Sequence, residues 1–154
     1  MASKTLVINA VALTESLINK EDTPFLSSYL KEKNIFPKII EPVFPALTAP
    51  AQATYLSGKG PAFHGITANG WYDMTYKEVV NWHQSSGCVK VERIWHRLKR
   101  ADPKASVFVN GFWQSMHDKS IDYFINVRPQ YFHDGLKLPD IYTTPTLLRD
   151  SLQK

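Results

Sequence analysis

The chain has 154 residues, 44% of them hydrophobic and 21% charged, which excludes an extended disordered protein and predicts one globular domain over residues 1–154. The formal net charge of +4 is scattered along the sequence, and the basic cluster at residues 96–100 is typical of a solvated helix end, so we expect no nucleic-acid partner. Cys88 is the single cysteine, which excludes an internal disulfide and favours a cytoplasmic location.

The N-terminal elements come first in chain order. TLVINAVAL (residues 5–13) is almost continuously apolar, a pattern that predicts a buried strand covered on both faces. This run is too short to span a membrane or to act as a secretory signal, so we expect no membrane partner. A helix is predicted to begin after Thr23, because an N-cap threonine followed by Pro24 is a typical helix start.

The central and C-terminal elements alternate between strands and helices. A short helix is predicted over residues 49–56, with Pro50 in its first turn and Gly58 as its left-handed stop. The elements predicted after it are a strand near residues 79–82, a helix within KVERIWHRLKRADP, strands within ASVFVNG and IDYFINVRP, and a last helix within TTPTLLRDSLQK. This order predicts an α/β fold with a mainly parallel sheet flanked by helices, and we expect the fold to be incomplete because its last helix begins only at the C-terminus.

Thr48 lies where open α/β proteins bind ligands, after an extended segment and immediately before a helix. The free N–H groups and the dipole of such a helix favour an anion. A threonine hydroxyl is a poor nucleophile unless a metal or a base removes its proton. The alternative is that Thr48 merely caps the helix, a role that threonine performs well.

FPALTAPAQATYLSGKGPAFHGITANGWYD (residues 44–73) resembles the nucleophile region of the alkaline phosphatase superfamily, in its type I phosphodiesterase/nucleotide pyrophosphatase branch. The shared pattern is a threonine, a short helix ending in Ser/Thr-Gly, a His-Gly pair and an asparagine on the next loop. The resemblance implies that Thr48 is the nucleophile and that the Asn69 amide binds the transferred phosphoryl oxygens. His64 and Gly65 match a turn that shapes the loop, and we interpret His64 as structural.

The resemblance also implies a substrate and cofactors. It predicts hydrolysis of a small phosphate ester or nucleotide with two divalent metal ions, zinc in this branch, one of which would bind Thr48. Trp71 and Tyr72 could stack on an apolar part of the substrate, although packing is the simpler interpretation. Phosphomutase and sulfatase chemistry on the same scaffold are weaker alternatives, because those branches use a serine or a modified residue at the nucleophile position.

The chain departs from the family pattern at the positions of the metal ligands. In the family, the first strand ends in a metal-binding aspartate that is followed by a glycine. This chain has Val11 and Ala12 at those two positions. Asn9 could offer an amide oxygen and Glu15 a carboxylate, but a neutral amide holds zinc less well than a carboxylate does. Asn9 and Thr48 are therefore the predicted metal ligands.

The family also has an Asp-His pair later in the chain. His117–Asp118 and His133–Asp134 have the reverse order and are interpreted as turn or loop residues. The other histidines, apart from His64, are interpreted as packing or surface residues.

The missing ligands lead to two hypotheses. The first is that the chain is the N-terminal part of a longer phosphodiesterase-like protein, inactive in isolation, whose missing C-terminal portion supplies the other ligands. The second is a non-catalytic module that binds an anion or a nucleotide, or serves in assembly. Phosphate or nucleotide binding that needs Asn69 but no metal would favour the second hypothesis.

Overall fold

The computed structural model describes residues 4–153 and divides the chain into two compact units, Met1–Glu41 and Pro42–Lys154. We call them the N-terminal unit and the main unit. Within the described residues, no helix is both long enough and apolar enough to cross a membrane. A single domain over residues 1–154 and a cytoplasmic location stay predictions.

The N-terminal unit contains a 3-10 helix, Glu15–Leu17, and helix α1, Pro24–Glu32. Helix α1 begins as predicted, because Thr23 is its N-cap and Pro24 its first residue. The Thr23 hydroxyl does not cap the helix; it donates a hydrogen bond of 2.7 Å to the carbonyl oxygen of Leu17 instead. This bond ties the helix start to the preceding 3-10 helix.

The strand predicted over residues 5–13 is wrong. This segment has no regular hydrogen-bonded structure and belongs to no sheet of the described chain. Its apolar side chains are exposed, with Leu6 at 83%, Ile8 at 75% and Val11 at 71%. An apolar run favours burial, but a strand forms only where a neighbouring strand pairs with its N–H and C=O groups.

The main unit contains most of the regular structure. Its helices are α2 (Thr48–Ser57), α3 (Pro61–His64), α4 (Ile94–Ala101) and α5 (Leu147–Leu152), and a 3-10 helix spans Ser86–Cys88. Its strands are β1 (Gly70–Asp73), β2 (Glu78–Asn81), β3 (Phe108–Asn110), β4 (Tyr123–Val127), β5 (Gln130–Tyr131), β6 (Lys137–Leu138) and β7 (Ile141–Thr144). The predictions of α2, α4, α5, β2, β3 and β4 are confirmed, whereas α3, β1, β5, β6 and β7 were not predicted.

The sheets confirm an α/β fold but not a mainly parallel sheet. Strands β3, β4 and β7 form one sheet, in which β3 and β4 are parallel and β4 and β7 are antiparallel. Strands β1 and β2 form one antiparallel hairpin, and β5 and β6 form another. The β5–β6 hairpin lies between β4 and β7 and turns the chain back, whereas a parallel pair would need a crossover. The described sheets are therefore small and mixed.

Two apolar clusters form the core of the main unit. The larger cluster packs α2 and α4 against the β3–β4–β7 sheet through Leu56, Trp95, Val107, Val109, Met116, Ile121 and Phe124. The smaller cluster consists of Ala49, Ala53 and Ile66, with Trp71, Cys88 and Val89 packed against it. Helix α2 contributes to both clusters, so its position in the main unit is fixed on two sides.

Candidate functional site

Helix α2 sets the position of Thr48. The helix ends at Gly58, whose φ of +68° is the left-handed conformation predicted for the stop, and the Gly58 N–H donates to the Thr54 carbonyl at 2.8 Å. At the other end, Leu47 is the N-cap and Thr48 is the first helical residue. The interpretation of Thr48 as the N-cap is therefore wrong. Its half-buried side chain lies at the positive end of the helix dipole.

Asn69 caps α2 from a distant part of the chain. The Ala49 N–H donates a hydrogen bond of 2.9 Å to Asn69 Oδ1. Because that donor requires an oxygen acceptor, the orientation of the Asn69 amide is fixed, and its NH2 group remains as a donor. The structure thus brings Asn69 to the same helix end as Thr48, although 20 residues separate Asn69 from Ala49.

The first turn of α2 presents few backbone donors. Asn69 occupies the Ala49 N–H, Pro50 has no N–H, and the Ala51 N–H donates to the Leu47 carbonyl at 3.0 Å. The Thr48 N–H is then the donor of this turn that an anion could use. An anion at this helix end would meet the Thr48 N–H and hydroxyl and the Asn69 NH2 group.

His64 supports the loop that carries Asn69. The His64 side chain is completely buried, its Nδ1 accepts the Ile66 N–H at 3.1 Å, and its Nε2 lies 3.0 Å from Thr54 Oγ1 on α2. The imidazole is neutral, because Nδ1 must keep a lone pair for that N–H and burial lowers the pKa of His64. Its Nε2–H therefore donates to Thr54, and the structural interpretation of His64 is confirmed.

The β1–β2 hairpin begins directly after Asn69. The Trp82 N–H donates to the Asn69 carbonyl at 2.8 Å, which closes the hairpin against the candidate site. Trp71 packs on the smaller core cluster and stacks on His83 with ring centroids 5.5 Å apart, which confirms the packing interpretation of Trp71. Tyr72 follows Trp71 in β1 and is exposed.

The assignment of Asn9 and Thr48 as metal ligands stays a prediction. Asn9 lies in the N-terminal unit and Thr48 in the main unit. Across residues 4–153, no three His, Cys, Asp or Glu side chains are grouped so that they could hold a metal ion. A zinc site needs three or four arranged ligands, so the described residues do not fit the two-metal centre that the resemblance implies. Metal binding stays a prediction.

Asp118 has a structural role that the sequence did not reveal. Its Oδ2 accepts hydrogen bonds from Arg93 Nη2 at 2.6 Å and from Trp95 Nε1 at 2.9 Å, and Arg93 is only 2% exposed. Burial by itself would raise the pKa of Asp118, but the Ser120 N–H, the Trp95 N–H and the Arg93 charge together hold it below its ordinary value. Asp118 is thus an ionised partner of a buried arginine.

Turns hold His117, His133 and Asp134, the remaining members of the two reversed His-Asp pairs. The Leu136 N–H donates to Asp134 Oδ1 at 3.0 Å, which places Asp134 in the turn of the β5–β6 hairpin, as interpreted from the sequence. The adjacent His133 is exposed. His117 is exposed as well, and its Nδ1 lies 3.1 Å from the Tyr142 hydroxyl.

A pocket lies elsewhere in the main unit. It has a volume of about 590 Å³ and lies beside β5, β7 and α5, with Arg128 and Tyr142 among its lining residues. Asp140 also lines it, and that carboxylate is already held by Arg149 at 2.8 Å. Thr48 and Asn69 do not line this pocket, so the candidate site is a feature of the α2 start and not of this cavity.

Comparisons with known proteins identify the family of the chain. The type I phosphodiesterase / nucleotide pyrophosphatase family matches residues 5–150 of the chain. An uncharacterized pyrophosphatase/phosphodiesterase of Schizosaccharomyces pombe is 34% identical over 80 residues, which are 51% of this chain and 16% of that protein. The match therefore spans about a sixth of that relative. No solved structure matches the chain significantly. The chain belongs to the type I phosphodiesterase / nucleotide pyrophosphatase family.

Proposed function

We propose that the start of α2 is the phosphoryl-binding site of a phosphodiesterase or nucleotide pyrophosphatase, with Thr48 at the nucleophile position and Asn69 as a donor to the phosphoryl oxygens. One observation carries this proposal: the hydrogen bond of 2.9 Å from the Ala49 N–H to Asn69 Oδ1. It fixes the Asn69 amide at the residue next to Thr48, with its NH2 group available to a ligand. Family membership supports a phosphate ester as that ligand.

The donors at this helix end suit the charge that develops in phosphoryl transfer. In the transition state negative charge is spread over three equatorial phosphoryl oxygens, and donors aimed at those oxygens lower the barrier. The Thr48 N–H and the Asn69 NH2 group would bind two such oxygens, and the helix dipole would add about half a positive charge. The Thr48 hydroxyl oxygen would then form the bond to phosphorus while the ester oxygen leaves.

Attack by Thr48 requires that its hydroxyl proton be removed. The described residues supply no group of metal-binding side chains for that purpose. We therefore propose that the chain by itself binds a small phosphate ester or nucleotide without turning it over. The proposal includes two divalent metal ions, with zinc as the expected metal, because the family resemblance implies them.

A non-catalytic anion-binding or nucleotide-binding module is the second candidate function. The absence of a metal-ligand group among residues 4–153 favours it. The two candidates agree on the binding site at Thr48 and Asn69. They differ in whether Thr48 ever forms a covalent bond to phosphorus.

Two measurements test the proposal. The first compares hydrolysis of bis(4-nitrophenyl) phosphate, with added zinc, by the natural chain and by Thr48→Ala, and we expect equal rates. Turnover that depends on Thr48 would show that the chain is catalytically complete and would refute the proposed inactivity. The second measures inorganic phosphate binding by calorimetry with a chelator present, in the natural chain and in Asn69→Ala. Undiminished binding by Asn69→Ala would refute the assignment of the anion site.

A further inference from the structure

We propose that the side-chain amide of Gln52 is a third donor to the phosphoryl group that binds at Thr48 and Asn69. The inference rests on the proposed function and adds a ligand-binding residue to the same site. Gln52 lies in the segment that resembles the family, but the shared pattern of a threonine, a Ser/Thr-Gly, a His-Gly pair and an asparagine does not include it. Its role follows from how the main unit holds its side chain.

One hydrogen bond fixes the orientation of the Gln52 amide. The Trp113 N–H donates to Gln52 Oε1 at 2.9 Å. Because that donor requires an oxygen acceptor, the NH2 group of Gln52 occupies the other position of the amide and remains as a donor. The Ala49 N–H fixes the orientation of the Asn69 amide in the same way.

The Gln52 NH2 group is open to a ligand although the residue is buried. Gln52 is only 5% exposed. Among residues 4–153, its Nε2 donates to no protein acceptor, and the enclosed side-chain atoms that lack a partner are Gln84 Oε1, Arg93 Nε and Gln114 Oε1. Gln52 Nε2 is not one of these enclosed atoms, so it contributes to the small accessible surface of the residue. A buried amide thus presents its free donor at the protein surface.

Helix geometry places this donor beside Thr48. Gln52 lies four residues after Thr48, so both side chains lie on the same face of α2. A long side chain on a helix leans towards the N-terminus and covers the turn before its own Cα. The turn before Gln52 is the first turn of α2, which begins at Thr48. The NH2 group is therefore directed towards the helix end at which the anion is proposed to bind.

The segment that holds Gln52 follows the carboxyl end of β3. Gly111 comes directly after β3, and Trp113 lies two residues further along the chain. Strand β3 is parallel to β4, and ligands of α/β proteins bind beyond the carboxyl ends of parallel strands. The segment is held in place because Gln114 Nε2 donates to the His83 carbonyl at 2.9 Å. The amide of Gln52 is thus fixed by a segment that has a fixed position of its own.

A third donor suits the chemistry of the site. The backbone of the first turn offers few donors, because it contains a proline and two N–H groups that already have acceptors. In phosphoryl transfer, negative charge is spread over three equatorial oxygens. The Thr48 N–H and the Asn69 NH2 group would bind two of these oxygens, and the Gln52 NH2 group would bind the third. Donors whose positions are fixed before the ligand binds need not reorganise during the reaction.

The test is calorimetric titration of the full chain with inorganic phosphate at pH 7, with a chelator present. Two variants remove the donor by different routes. Gln52→Met is uncharged but also loses the acceptor for the Trp113 N–H, whereas Gln52→Glu keeps an acceptor but adds a negative charge. The loss of the donor is the change that they share. We therefore expect both variants to bind phosphate at least about tenfold more weakly than the natural chain.

A charge control and a stability measurement accompany the two variants. Tyr55→Glu adds the same charge to α2, but Tyr55 is 47% exposed and lies about two helical turns after Thr48. We expect it to change the phosphate affinity by no more than about twofold, because solvent and salt screen a charge over that distance. Urea unfolding should show that Gln52→Glu is folded. A purely structural role of Gln52 would weaken phosphate binding in Gln52→Met alone, because that variant loses the bond to Trp113.

The outcomes separate this inference from the proposed function. Natural phosphate affinity in Gln52→Met or in Gln52→Glu overturns the inference, and the proposed site then stands without Gln52 if Asn69→Ala still weakens binding. A loss in Tyr55→Glu as large as that in Gln52→Glu also overturns it. If both Gln52 variants bind phosphate weakly while Asn69→Ala binds it at the natural affinity, Gln52 binds the anion and the assignment of Asn69 is wrong. No measurable phosphate binding by the natural chain overturns the inference and the proposed site together.

Discussion

Two replacements of Asn69 separate its structural role from its proposed binding role. Asn69→Asp keeps an oxygen that can accept the Ala49 N–H, but it loses the NH2 donor and adds a negative charge. Asn69→Ala loses both the acceptor and the donor. The aspartate is close in size and shape to the natural asparagine, so the two variants differ mainly in whether the α2 cap is kept.

The structure gives the size of each effect. Ala49 is completely buried, so Asn69→Ala leaves its N–H without a partner, and we expect unfolding free energy to fall by about 1–2 kcal/mol. Asn69→Asp should be as stable as the natural chain or about 0.3–1 kcal/mol more stable, because the helix dipole favours a negative charge there. A carboxylate about 5 Å from a bound phosphate would repel it by about 1–3 kcal/mol, which weakens binding roughly five- to 150-fold.

The assays are urea unfolding followed by tryptophan fluorescence and calorimetric titration with inorganic phosphate, both at pH 7. We expect Asn69→Ala to lose stability and Asn69→Asp to lose phosphate binding while its stability is kept. Equal instability of the two variants would contradict the cap, because the aspartate oxygen should replace the asparagine oxygen. Phosphate binding by Asn69→Asp at the natural affinity would refute the role of the NH2 group.

Three further predictions concern stability. Asp118→Ala leaves the buried Arg93 guanidinium without its carboxylate and should lower the unfolding free energy by about 3–5 kcal/mol, measured by urea unfolding. Gly58→Ala places a Cβ at a φ of +68° and should cost about 1 kcal/mol in the same assay. His64 is buried and its pKa is lowered, so protons bind the unfolded chain more readily, and stability should fall as the pH drops below 6.5.

Each of these predictions has a control. The double variant Arg93→Met with Asp118→Leu should be much closer to the natural stability than Asp118→Ala is, and equal losses would contradict the buried ion pair. Gly58→Asn should cost less than Gly58→Ala, since asparagine tolerates the left-handed region. His64→Gln cannot be protonated, so an unchanged pH dependence of stability in that variant would show that other groups cause it.

The sequence by itself determined the local features of the candidate site. The helix start at Pro24, the helix over residues 48–57 and its stop at Gly58 follow from the conformational preferences of a few adjacent residues, and the structure confirms them. The pattern around Thr48 and Asn69 likewise pointed to the family that matches residues 5–150. Conformational preferences that depend on a few adjacent residues can be predicted from the sequence without a structure.

Tertiary structure decided the features that join distant residues. The sequence could not reveal that Asn69 caps α2 at Ala49, because capping rules look for the cap at the position just before the helix. It also gave no signal that Arg93 is buried with Asp118, since arginine is usually exposed and its burial depends on a partner 25 residues away.

The failed strand at residues 5–13 has the same physical reason. An apolar pattern records a preference for burial, and that preference becomes a strand only when another strand supplies hydrogen-bond partners. The antiparallel β7 depends in the same way on the hairpin that turns the chain back towards β4. Adjacent residues therefore determine local conformation. Strand pairing, burial and the assembly of hydrogen-bond donors at Thr48 depend instead on contacts between segments that are distant in the sequence.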